Sequence, residues 1–506
     1  MSNGPSYRLV APDPTRLAPP ALDDDQQRVV DHPGGPLLVL AGPGTGKTTT
    51  LVEAIVDRIE HRGADPSSVL ALTFSRKAAE QLRDRVTARL GRTLSSPISS
   101  TFHSFAYGLV RSHAPAELYA APLRLLSAPE QDVLIQELLT GPEALTWPEP
   151  LRAAVRTRGF AAEVQAVLAR AREKGLDPVD LAELGRSSGE DAYVVAASFM
   201  QRYLVVLDDM SAVDYADLIR RAVGIAEHNR DELRTRYSHV FVDEYQDTDP
   251  SQVALLHALS GDGRNLVVVG DPDQSIYGFR GADVNGILRF PSAFPATTGE
   301  PAPVVALRTT RRFGSRLLTA SQTVAASIGA RGDIARSDWE AFRSPTAAPS
   351  DVGHGWVEVT TFDTARAETE HLADLLRRAH LEHDVPWSEM AVLVRSGRSS
   401  LPALRRSLSA AGVPVEVASD DTPLVREPAV MPLLAALRIV VDAGVDDPTD
   451  PRFVAVDRVE ELLTSPVGGL DATDVRALAR ALRAREKERA AQAGEAAASS
   501  RELLQR

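Results

Sequence analysis

Four carboxylates fall within the seven positions Asp243 to Asp249 of the stretch VFVDEYQDTDPSQ, directly after a short apolar run. Such a cluster could bind calcium, hold the metal pair of a nuclease, or close a strand that handles a nucleotide. A calcium loop needs oxygen ligands at alternating positions and glycine at the sixth. Counted from Asp243, the third position is Tyr245 and the sixth is Thr248, which excludes that chemistry. A two-metal nuclease fits the composition, but no lysine or histidine cluster stands nearby to support it. The nucleotide reading requires a phosphate-binding partner elsewhere in the chain, and one is present.

AGPGTGKTTT, residues 41–50, follows the apolar run PLLVLA and opens an amphipathic stretch, the strand-loop-helix context that gives a phosphate loop its meaning. Glycines let backbone N–H groups turn onto phosphates, and the helix N-terminus adds a favourable dipole. The candidate nucleotide site is Ala41, Gly42, Pro43, Gly44, Thr45, Gly46, Lys47, Thr48 and Thr49. Lys47 is expected to reach the β- and γ-phosphates of ATP, and Thr48 to hold Mg²⁺. Ala41 stands where the motif has its first glycine, so the tight backbone approach falls to Gly44 and Gly46. In such enzymes a second strand delivers an acid to the metal and positions the attacking water. Asp243 is then the magnesium carboxylate and Glu244 the candidate general base.

Those residues need a scaffold that brings distant segments together. Strands at PLLVLA (36–41), VLALTF (69–74), HVFVDE (239–244) and NLVVVGD (265–271) alternate with helical patterns, which predicts a parallel sheet. Residues 106–211 are mostly helical, as in FAAEVQAVLARAREKG, where Phe160, Val164, Val167 and Leu168 share a face. A helical block is thus expected inside one α/β domain. A further α/β segment is expected over 300–418, with strands at APVVAL, GWVEVTTF and MAVLVR. The Ala/Arg/Glu-rich end reads either as a solvated helix or as a frayed end. At 506 residues the chain predicts about three domains. The absence of cysteine excludes a thiol nucleophile, a thiolate zinc site and a disulfide framework. A net charge of −13 means that any nucleic-acid contact must come from a local basic channel. No run is apolar enough to span a bilayer and the start lacks a signal peptide, so the chain reads as cytoplasmic.

Together these motifs resemble the UvrD/Rep/PcrA branch of superfamily 1 DNA helicases, over residues 22 to about 440. LDDDQQRVV resembles the family's adenine-reading segment, with Gln26 as the glutamine. LTFSRKAAEQL and STFHSFAYGLV resemble its strand-gripping motifs, which implies DNA proximity for Thr73, Phe74, Lys77, Thr101, Phe102 and His103. VDYADLIRRA resembles a further family segment, in which Asp214 and Asp217 carry no assigned role. VVVGDPDQSIYGFRGAD implies that Gln274 senses the γ-phosphate, that Tyr277 and Phe279 face DNA, and that Arg280 couples the two sites. Gln246 and Asp247 are expected to shape coupling to the second lobe. In VVALRTTRRFGSRLL, Arg312 matches the arginine that reaches the γ-phosphate. Thr310 and Arg311 stand where the family has asparagine and tyrosine, and Arg311 could stack on adenine instead.

The resemblance implies a RecA-like first motor domain (21–105 plus 212–298) behind a flexible tail (1–20), with a helical insertion (106–211). It implies an incomplete second RecA-like domain (299–420) and a partial helical insertion (421–506). The family's later pattern, a Thr-x-His segment followed by a Lys-Gly pair and then a second arginine finger, does not occur after Arg312, so the chain reads as the C-terminally truncated front of a longer protein. LRTTRRF is similar to the corresponding segment of actinobacterial helicase-nucleases, which implies a downstream nuclease domain and a partner helicase-nuclease subunit. The implied activity is an ATP-dependent 3′–5′ translocase and helicase on single-stranded and duplex DNA, in repair or recombination. A non-motor DNA-binding subunit with impaired hydrolysis, and an RNA-directed motor, remain as alternatives.

Overall fold

Apolar runs without polar alternation belong to strands covered on both faces, and here they form one sheet. The computed structural model describes residues 17–92, 98–113, 123–278, 281–329, 331–349, 353–416, 430–445, 447, 450, 452–494, 496–500 and 503. The first elements are α1 (Asp24–Val30), β1 (Pro36–Ala41), α2 (Lys47–Glu60), β2 (Val69–Thr73), α3 (Arg76–Leu90), β3 (Ser99–Thr101) and α4 (Phe102–His113). A helical stretch follows: β4 (Arg124–Leu125), α5 (Ala128–Thr140), α6 (Arg158–Glu173), α7 (Pro178–Ser188), α8 (Asp191–Asp209) and β5 (Ala212–Val213). Alternation resumes with α9 (Tyr215–His228), α10 (Arg230–Arg236), β6 (His239–Val242), α11 (Pro250–Ser260), β7 (Leu266–Gly270), α12 (Asn285–Leu288), α13 (Phe290–Ala293) and β8 (Val304–Leu307). Then come β9 (Thr309–Thr310), α14 (Ser315–Ala325), α15 (Arg336–Arg343) and β10 (Thr346–Ala347). Beyond them lie α16 (Ala365–His383), α17 (Gly397–Ala410), α18 (Met431–Val441), α19 (Val456–Leu463) and α20 (Ala472–Ala493). The chain divides into two compact units, residues 1–358 and 359–506.

The six-stranded sheet of the first unit is parallel throughout, in the order β3-β2-β6-β7-β1-β8. Its strands send alternate residues to opposite faces. Leu38, Leu40, Leu72, Val242 and Val268 meet Phe102, Leu255, Leu259 and Phe290 on one side. Val39, Ala71, Phe241, Val267 and Val269 meet Leu51, Ile55, Leu82 and Val86 of α2 and α3 on the other. Each buried Val, Leu, Ile or Phe side chain among them contributes about 1.5–3 kcal/mol. Because all strands run the same way, the C-terminal ends of β1, β6 and β7 open on one edge, where α/β proteins bind ligands.

Several expectations are corrected. The strand at 304–307, expected in a second α/β segment, is instead the sixth strand of the first sheet, in register with β1 from Leu38↔Val304 to Ala41↔Leu307. Backbone pairing and a two-pronged ion pair between Arg308 and Asp25, both contacts 2.8 Å, hold it there. GWVEVTTF and MAVLVR form no strand among the described residues. Val359 and Leu393 are 89% and 93% exposed, because strand-forming residues make a strand only where another strand supplies the hydrogen bonds. The described residues of 359–506 contain helices and no strand, with a small core at Ala373, Leu408 and Val413. The change of core falls after α4 and not at 106, since Ala106, Leu109 and Val110 pack with the sheet. The separate helical core spans Leu126 to Ala212. Of the expected N-terminal tail, residues 1–16 lie outside the described residues, whereas Leu17 is bonded to Ala88 and Arg89. The C-terminal stretch takes the helical alternative, as α20. Among the described residues no helix is long and apolar enough to cross a membrane.

Asp214, whose role the sequence left open, joins this helical block to α9. It caps α9 through Asp217 N–H at 2.8 Å and accepts bonds from Arg172 Nη1 at 2.8 Å, Tyr203 Oη at 3.0 Å and Gln131 Nε2 at 2.9 Å. Arg172 is 1% exposed, so it has no access to water as a substitute partner. Asp214→Ala is therefore expected to lower stability by about 3 to 5 kcal/mol by stranding a buried guanidinium. Urea denaturation measures this, and an unchanged midpoint would show that Arg172 does not depend on the carboxylate.

Candidate active site

β1 ends at buried Ala41, and the chain turns through Gly42, Pro43, Gly44, Thr45 and Gly46 before Lys47 opens α2. Gly44 and Gly46 have φ of +75° and +88°, the left-handed region that favours glycine. A Cβ on Gly44 would lie 2.4 Å from Arg312 Cβ, and one on Gly46 would lie 2.5 Å from Gln26 Nε2. Thr45 Oγ1 donates to the Gly42 carbonyl at 2.8 Å, which keeps the loop coiled. Thr48 and Thr49 occupy the first turn of α2. Gln26 is buried, with its amide engaged at both ends: Nε2 donates to Thr45 O at 3.0 Å and Oε1 accepts from Asp23 N–H at 3.1 Å.

β6 delivers the acids. Asp243 is 7% exposed, and burial, reinforced by Glu244, pushes its carboxyl up to about 6. Glu244 adopts φ 53° and ψ 46°, a left-handed conformation costing on the order of 1–3 kcal/mol for a non-glycine residue. Lys47 Nζ donates to its Oε2 at 3.0 Å, and Gln246 Nε2 donates to the same oxygen at 2.9 Å. Gln246 Oε1 in turn accepts from Asp271 N–H at 2.9 Å, and Gln274 Nε2 donates to Asp271 Oδ2 at 2.6 Å. A continuous line of polar contacts thus runs from the phosphate loop to Gln274. Asp247 is raised to about 6 by burial and the nearby Glu244, and its Oδ1 accepts no hydrogen bond among the described residues. Asp249 starts α11, accepting from Gln252 N–H at 2.8 Å.

A divalent cation fits this chemistry. Asp243 and Asp247 are acids that burial makes costly to ionise, and nearby positive charge would relieve that cost. Among the described residues no three His, Cys, Asp or Glu side chains form a metal cage. Asp243 and Thr48 would supply protein oxygens beside nucleotide phosphates, the open arrangement Mg²⁺ prefers.

The segment after β8 closes over the loop. Thr310 Oγ1 donates to Pro43 O at 2.8 Å, and Arg311 N–H donates to Gly44 O at 2.9 Å. The Arg311 side chain pairs with Asp23 through Nη2 at 2.8 Å, a partner the sequence reading did not foresee. Arg312 is exposed, with its Cβ against Gly44. Asp23, Asp25, Arg308 and Thr310 were all missed as site residues. The pattern Asp23-x-x-Gln26 is a capping box that could have flagged α1, and both of its reciprocal bonds are present. Nothing local signals Arg308, and the motif around Thr310 marks its position without its bond to Pro43.

The candidate DNA residues separate. Phe74, just past β2, and Tyr277 stack at 4.7 Å and 27°. Lys77 is exposed in the first turn of α3. Thr73 is buried and donates to Ser75 O, while Thr101 receives the Ser104 N–H at the start of α4. Phe102 is corrected: at 3% exposure it belongs to the core with Leu38 and Leu72, so its ring is not available to bases. His103 meets Tyr215 edge-on at 5.2 Å, and burial lowers its pKa against the pull of Asp249. Phe279 and Arg280 lie outside the described residues.

A family model described as the UvrD/REP helicase N-terminal domain matches residues 22–295. DNA helicase II of Escherichia coli (strain K12) is 30% identical over 309 residues, covering 60% of this chain and 40% of the relative. ATP-dependent DNA helicase PcrA of Leuconostoc citreum is 28% identical over 389 residues, covering 75% and 47%. ATP-dependent DNA helicase UvrD1 of Mycobacterium tuberculosis (strain ATCC 25618 / H37Rv) is 29% identical over 419 residues, covering 80% and 51%. The chain therefore spans about half the length of the curated relatives it matches.

The raised carboxyl of Asp243 has a stability consequence. An aspartate that titrates near 6 when folded and near 3.8 otherwise opposes folding once ionised. That cost is absent at low pH and grows as pH rises through this window. Asp243→Asn should stabilise the protein by about 1 to 3 kcal/mol at pH 7.5. The gain should shrink when urea denaturation is repeated at pH 5; a destabilised variant would refute the assignment.

Proposed function

The chain belongs to the UvrD/Rep helicase family, and on that premise we propose that it is part of an ATP-hydrolysing motor that moves 3′–5′ along single-stranded DNA and opens duplex, in repair or recombination. The carrying observation is the polar line from Lys47 through Glu244, Gln246 and Asp271 to Gln274. It links the phosphate loop to the turn preceding Tyr277, whose ring stacks on Phe74.

Lys47 exchanges Glu244 for the β- and γ-phosphate oxygens of ATP, which frees the Glu244 carboxylate to accept a proton from the attacking water. Asp243 and Thr48 would hold Mg²⁺, whose charge would offset that of the phosphates. Arg312, adjoining Gly44, supplies a cationic contact to the γ-phosphate in the transition state. Gln274 changes partners when that phosphate departs, and the turn carries the change to Tyr277. Phe74 and Tyr277 offer aromatic faces to unpaired bases of any sequence, at about 1–3 kcal/mol per base. Gln26 acts on the nucleotide chiefly by fixing the Thr45 carbonyl, and Arg311 borders the base site with its guanidinium oriented by Asp23. A partner helicase-nuclease subunit remains part of the proposal on resemblance alone.

ATPase rates with oligo-dT, with oligo-U and without polymer test the reading; stimulation by DNA alone is expected. Equal rates in all three arms would refute a DNA motor. Glu244→Gln should keep nucleotide binding while turnover falls by about 10² to 10⁴-fold. Loss of binding in a fluorescent-nucleotide titration would return Glu244 to a structural role. Arg312→Ala should lower kcat by about 10³-fold or more with a small change in KM, read by steady-state kinetics.

A further inference from the structure

A second line of polar contacts leaves Asp271 beside the one that ends at Gln274. Asp273 N–H donates to Asp271 Oδ1 at 2.9 Å, and the Asp273 carboxylate accepts from Arg343 Nη2 at 2.7 Å. Arg343 is the last residue of α15 and lies 70 residues away in sequence. The same guanidinium donates to the carbonyls of Ala325 and Ile328, at and just beyond the C-terminal end of α14. It also sits 4.7 Å from the Trp339 ring and 5.7 Å from the Phe342 ring. Its side chain is 17% exposed, as is that of Asp273. A screened surface pair contributes little, but one planar, largely desolvated guanidinium that grips a turn, a helix end and two aromatic rings fixes their relative positions.

The geometry closes a circuit. α14 begins three residues after Arg312, and the segment just before it is tied to the phosphate loop by Thr310 Oγ1 and Arg311 N–H. Arg343 fastens the other end of α14 to the turn that carries Gln274. The segment 308–343 is therefore a strap with one end on the phosphate loop and the other on the turn leading to Tyr277.

We propose that Arg343 is a positioning residue: through Asp273 it holds the strap, with Arg312 at its head, in step with the Gln274 turn, so that DNA bound at that turn accelerates hydrolysis. This rests on the DNA-motor reading above. Without the Arg343 contact, Arg312 and the turn still exist but no longer move as one body. Basal hydrolysis then survives, while its acceleration by DNA is lost.

The test uses the full chain with oligo-dT as the probe. Arg343→Ala should leave basal kcat and KM for ATP within about twofold of wild type. Its DNA-stimulated kcat should fall about tenfold, with oligo-dT affinity by fluorescence anisotropy little changed. Asp273→Asn should reproduce the loss, and the double variant should add nothing further, as two partners in one link must. If Arg343→Ala does not fold by thermal melting, Asp273→Asn alone carries the test, because it keeps the backbone bond to Asp271. Wild-type stimulation that persists in Arg343→Ala, or in Asp273→Asn, overturns this proposal and spares the motor reading. Equal loss of basal and stimulated rates also overturns it, by making the contact merely structural. Absence of stimulation in the wild type overturns both.

Discussion

The ion pair between Lys47 and Glu244 is the contact on which the site depends. One ammonium stands beside acids that the sheet has gathered on a single edge, and several of them have carboxyls raised by burial. Like charges in a desolvated place destabilise a fold unless a cation balances them. A protein shaped for stability alone would not keep them. Their presence beside the glycine loop is what a site proposed to take a cation and an anion together requires.

The parallel sheet makes that gathering unavoidable. Strands running the same way place every C-terminal end on one side, so Ala41, Asp243 and Asp271 become neighbours although other elements separate them in sequence. The buried runs of β1, β6 and β7 fix the depth from which each acid emerges, and the left-handed backbone at Glu244 turns that residue toward Lys47. Gln246 then bridges β6 to β7, so the strand ends are joined by side chains as well as by their ladders.

A second layer of order comes from the segment after β8. By joining the sheet beside β1, that strand carries Thr310, Arg311 and Arg312 onto the phosphate loop, while Arg308 and Arg311 reach back to Asp25 of α1 and to its N-cap, Asp23. The loop is therefore held from three directions: by Gln26 from α1, by its own Thr45, and by Thr310. This explains why glycine is required at 44 and 46, where neighbouring side chains approach too closely for a Cβ.

What the sequence by itself determined was local. The phosphate loop, the acids ending VFV, the strands β1, β2, β6 and β7 with a helical block between them, and the family were legible because each depends on side-chain period, on glycine conformation, or on a motif contiguous in sequence. Tertiary structure decided the rest. The motif of Phe102 implies DNA proximity, and the packing of α4 on the sheet turns its ring into the core. GWVEVTTF and MAVLVR have strand composition, yet a strand exists only where another supplies its hydrogen bonds. Arg311, Asp23, Asp214 and Arg343 found partners tens to hundreds of residues away. Such pairings follow from the three-dimensional path of the chain, because a charged side chain is satisfied by whichever opposite charge packing brings within about 3 Å, and no local pattern records that.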